Sequence, residues 1–75
     1  MEIVLASIPH SVDDGETSLR DVMSRCNAVE FKRIAPIFDG HASFYHVAIQ
    51  PQLITRFVSD AGKHGISVLT ERHRD

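Results

Sequence analysis

Residues 43 to 49 read SFYHVAI, a run with two unlike faces. Neighbouring side chains of a strand point to opposite faces, so Tyr45, Val47 and Ile49 share one face. Phe44, His46 and Ala48 share the other. The first set is core material. The second carries an aromatic ring, an imidazole and a methyl, an odd set to leave to water.

Upstream, VEFKRIAPIFDGHA (residues 29–42) supplies the other arm of a hairpin. A two-residue Asp39-Gly40 loop would set Lys32 beside Val47 and Glu30 beside Ile49 on the core face. A three-residue loop, Phe38-Asp39-Gly40 with Gly40 left-handed, pairs Phe31 with Val47 and Val29 with Ile49 instead. The second register is expected. It leaves Arg33 beside Tyr45, where a guanidinium can lie over the ring and still reach water. Pro36 cannot donate a ladder hydrogen bond, so this arm is expected at a sheet edge.

The run EIVLASI (residues 2–8), closed by Pro9, is apolar on both faces, as a central strand would be. Leu19, Val22, Met23 and Cys26 follow at helical spacing, with Thr17 or Ser18 as the expected N-cap and Asn27 as the stop. Pro51 is placed to open a second helix with the stripe Leu53, Ile54, Phe57, Val58 and Ala61, ended by Gly62 or Gly65. ISVLTE (residues 66–71) reads as a last strand, with Ile66 and Val68 inward and Leu69 outward.

The element order βαββαβ predicts one α+β domain over residues 1–75: a two-layer ferredoxin-like sandwich. Its antiparallel four-stranded sheet would have the order 4-1-3-2, with both helices on one face. Such a sheet would present Tyr45, Val47, Ile49, Ile3, Leu5, Val29, Phe31, Ile66 and Val68 to the helices. The face left open would show Val4, Ala6, Ile8, Ile34, Phe44, His46, Ala48 and Leu69.

Composition narrows the function. The chain has 75 residues, 43% hydrophobic and 24% charged, with a net charge of −2. That is ordinary globular material with no electrostatic pull toward nucleic acid or acidic membranes. The single cysteine, Cys26, excludes an internal disulfide and points to a reducing, cytoplasmic setting. The N-terminal apolar run is too short for a membrane span or a signal segment.

The remaining motifs are weaker. There are five histidines, but the expected fold separates His41 and His73 from His10 and His64, and His46 from all four. No metal or other cofactor is expected. Asp13, Asp14 and Glu16 suit a turn and a helix start, without the alternating ligands of an EF-hand. RNA-recognition domains share the element order, but they stack bases on aromatics of the first and third strands. Here the first strand has none and the third offers only Phe44 to the open face. His46 and Tyr45 would face opposite sides of the sheet and cannot share a catalytic site.

These readings favour a small non-catalytic interaction or regulatory module, of adaptor or inhibitor type, over an enzyme. Its contact surface would be the open face, at Val4, Ile34, Phe44, His46 and Leu69. The partner would be a second copy or another protein. The alternative is a dimeric small-molecule enzyme or ligand-binding protein, with a cavity between two sheets lined by His46.

Overall fold

The computed structural model describes residues 1–34 and 42–70. It shows an α+β fold with one open antiparallel sheet and two α-helices. The chain runs β1 (Glu2–Ile8), α1 (Gly15–Arg25), β2 (Val29–Ile34), β3 (Ser43–Ile49), α2 (Ile54–Gly62) and β4 (Ser67–Thr70). The four strands lie in the order β2-β3-β1-β4, the expected order seen from the other edge. Pro51 opens a 3-10 turn (Pro51–Leu53) ahead of α2 rather than the helix itself. The expected Phe38-Asp39-Gly40 turn and Pro36 lie outside the described residues. Among the described residues, no helix is long and apolar enough to cross a membrane.

Both helices cover the same face of the sheet. Leu19, Val22, Met23 and Cys26 of the α1 segment and Ile54, Phe57 and Ala61 of α2 join one core with Val4, Ala6, Ile8, Tyr45, Val47, Ile49 and Ile66. Phe57, Val4, Val22, Val47 and Ile49 are completely buried. Val58, expected in that stripe, is 37% exposed on the flank of α2. Leu53 packs against the core and is only partly buried.

The cap of α1 lies three residues before Thr17, the earlier of the two expected caps. Asp14 precedes it in a left-handed conformation (φ 54°), and the Ser18 N–H donates to the Asp14 carbonyl at 3.0 Å. Thr17 and Ser18 therefore lie inside the first turn, not at the cap. Both helices end in the same device. The Ala28 N–H donates to the Met23 carbonyl at 2.9 Å across a left-handed Asn27 (φ 53°). The Ile66 N–H donates to the Ala61 carbonyl at 3.0 Å across Gly65 (φ 79°). These are Schellman closures, which satisfy orphan carbonyls and set an apolar residue against the last turn. Here they deliver Ala28 and Ile66 into the core.

The β1 faces are reversed from the expectation. Val4 pairs with Val47 and Ala6 with Tyr45, so Val4, Ala6 and Ile8 are buried while Ile3 and Leu5 take the open face. A strand apolar on both sides does not reveal its inner face by alternation; the neighbours decide. The small Ala6 lies between Tyr45 and Val68, where a leucine would compete with the ring for space.

The hairpin register holds near the turn and then shifts. Ile34 pairs with Phe44, Arg33 with Tyr45 and Lys32 with His46, as the three-residue loop requires. Beyond them a β-bulge falls between Glu30 and Lys32, and Glu30 pairs with Val47 and Val29 with Ala48. The extra residue, Phe31, is 67% exposed and Val29 is 55% exposed, so neither is core. A bulge inverts the facing of every residue beyond it. Here it turns Glu30 toward α1, where its carboxylate accepts from Arg20 at 3.1 Å.

Candidate functional site

Cross-strand pairs arrange the open face in rows. One row reads Lys32, His46, Leu5 and Leu69 across β2, β3, β1 and β4. The row on one side reads Ile34, Phe44, Ser7 and Ser67, and that on the other Val29, Ala48 and Ile3. Each row exists because the pleat returns a side chain to the same face at every second residue. Among the described residues of these three rows, Lys32 is the only formally charged side chain.

Of the residues expected on this face, Ile34, Phe44, His46 and Leu69 are there. Val4 is not: it is fully buried beneath the helices, opposite Val47, because of the reversed β1 facing. Ile3, Leu5 and Val29 take its place. The sequence held a signal for the first two, since β1 is apolar on both faces and must give one set to the open side. Apolar side chains predominate on this face, with Lys32, His46, Ser7 and Ser67 among them. Ile34 is 40% and Leu69 62% exposed, with Phe44, Ile3 and Leu5 half-buried among their neighbours. Large apolar patches on a protein surface commonly mark contact sites.

On the helix-covered side a charged cluster lies at the β2 edge. Arg20 of α1 donates to Glu16 and to Glu30, each at 3.1 Å, and Arg33 lies 4.0 Å from Glu16. The Arg33 guanidinium stands 5.7 Å from the centre of the Tyr45 ring, as the sequence suggested. Arg20 holds the Glu16 carboxyl below its ordinary range, with Arg33 acting in the same direction. Burial pushes the Tyr45 phenol up, and the neighbouring Glu16 carboxylate adds to that. These groups clamp α1 onto β2 and β3. The pairs are exposed, so each contributes modestly to stability.

Cys26 is fully buried, and burial raises its thiol above the ordinary range. A thiol held protonated in a core packs as a small apolar group. Among the described residues, no three His, Cys, Asp or Glu side chains converge as a metal site would require. His41 and His73 lie outside those residues. Set against known protein families and curated proteins, the sequence matches no family and no relative.

Proposed function

We propose that this chain is a non-catalytic interaction module of ferredoxin-like architecture, whose open sheet face docks on another protein. One observation carries this reading: the paired rows bring Ile3, Leu5, Ile34, Phe44 and Leu69 from all four strands onto one surface. Covering that surface removes apolar area from water at roughly 25 cal/mol per Å², set against the cost of association. Lys32 and His46 add polar groups within that surface, which would help to fix orientation more than affinity.

The test is a single charge placed within the patch. Phe44 is half-buried on the open side and outside the helix-covered core, so Phe44→Glu should fold and melt like the parent. Parent and variant, immobilised in parallel, would be compared for the proteins that each retains from an extract of the native host. A partner retained by the parent and lost by Phe44→Glu is the expected result. Equal recovery by both would refute the reading and leave the face as bare sheet.

A further inference from the structure

The two edges of the molecule are built differently. At one edge, β2 carries Glu30, Lys32 and Arg33 and a bulge at Phe31, and α1 beside it adds Glu16 and Arg20. Charges and bulges on an edge strand discourage pairing with another chain. At the other edge, β4 is Ser67-Val68-Leu69-Thr70, with no charge and an unbroken register against β1. Among the described residues it pairs with β1 alone.

The helix layer above β4 repeats the contrast. Arg56 and Asp60 of α2 are close enough to Cys26, at the end of α1, to bear on its thiol, so that flank of α2 faces α1. With about 3.6 residues per turn, Thr55, Val58 and Gly62 fall on the opposite flank, on the β4 side. All three are exposed; Val58 is a large apolar side chain left 37% open, and a β-carbon on Gly62 would meet nothing within 4 Å. Among the described residues, the strand and this flank of the helix carry no charged side chain.

We propose that this edge is a homodimer interface, with β4 pairing antiparallel to β4 of a second copy about a two-fold axis normal to the sheet. In an isologous contact, each group near the axis meets its own counterpart, so a charge there would meet its like. The uncharged β4–α2 edge suits that contact, whereas the β2–α1 edge would bring charged strands together. Parity allows it as well. Cross-strand neighbours share a face, so the axis passes through Val68 or Leu69, and Val68 pairs with itself or with Thr70 on the helix side. The same axis sets α2 against its counterpart, covering Val58, while the bare surface at Gly62 lets the helices approach. The product is one sheet of eight strands, four from each copy, with its open face enlarged rather than consumed. This inference stands apart from the docking role of the open face.

Sedimentation equilibrium on the full chain tests it. Val58→Lys with Thr70→Lys places charge in the edge, on exposed positions away from the open face. The parent should sediment at twice the chain mass and the double variant at the chain mass, with the parent's circular dichroism spectrum. Phe44→Glu should remain dimeric. If the double variant unfolds, Thr55→Arg alone, on the same helix flank, supplies the readout and should likewise shift the equilibrium to monomer. A monomeric parent, folded edge variants that stay dimeric, or a dimer lost only in Phe44→Glu would overturn the proposal.

Discussion

Gly15, the first residue of α1, lies directly against Ile8, the last residue of β1: a β-carbon at position 15 would overlap the Ile8 Cγ2 methyl. The contact closes the loop between strand and helix, and both residues are buried. Alanine is the better helix former by about 1 kcal/mol, so propensity alone would make Gly15→Ala stabilising. Overpacking should reverse that sign and destabilise by about 1–3 kcal/mol. Urea denaturation checks it. In an Ile8→Ala background, which removes the opposing methyl, the cost of Gly15→Ala should shrink. Purely additive costs would show that the contact is not what requires glycine.

The two helix closures differ in how well their left-handed residue fits. Gly65→Ala forces a β-carbon into φ 79° and within 3.2 Å of Val12 Cγ2, so a loss of about 1–2 kcal/mol is expected. Asn27→Gly substitutes the residue best suited to that conformation and should stay within about 0.5 kcal/mol of the parent. Thermal melts of the two variants compare them directly. Equal and large losses would mean that the Asn27 side chain, not the backbone angle, secures the end of α1.

Phe57 is fully enclosed between α2 and the sheet. Phe57→Ala should cost about 3–5 kcal/mol, a large part of the stability of a small domain. Chemical denaturation at low temperature reads this. A variant with the parent's midpoint would contradict the packing of α2 onto the sheet.

Glu16 gives the β2 edge a pH dependence. Its carboxyl is held low chiefly by Arg20, so the folded state favours the ionised form. Its stabilising contribution is fully present above the unfolded carboxylate range and is lost as pH falls through the folded value. Glu16→Gln should therefore be slightly less stable than the parent at pH 7, with the difference vanishing in acid. Both partners are exposed, so the effect is small and should weaken further in high salt. A difference that grew on acidification would contradict the assigned cause.

The sequence showed the elements and their order because the signals were local: helical spacing in α1 and α2, β-branched runs in the strands, and Pro and Gly between them. The parity of the hairpin was legible from Ile34 back to Lys32. It failed at Phe31 because a bulge depends on what the far side of the strand must meet, here Arg20 on another element. The β1 facing failed for a related reason. Ile3 and Leu5 are as apolar as Val4 and Ile8, and only contacts with Tyr45, Val68 and Gly15 distinguish the sets. Phe44, His46, Ile34 and Leu69 were placed on the open face because their own strands alternate clearly or were paired near the turn.

On the proposed function, the open sheet face is where this protein meets its partner. Site-specific photocrosslinking in the native host tests it most directly. A photoreactive phenylalanine analogue would replace Phe44 or Ile34 on the face, and Ser24 or Ser59 on the exposed sides of the helices. A discrete protein adduct is expected from positions 44 and 34 and not from positions 24 and 59. Adducts from the helix positions alone would contradict it.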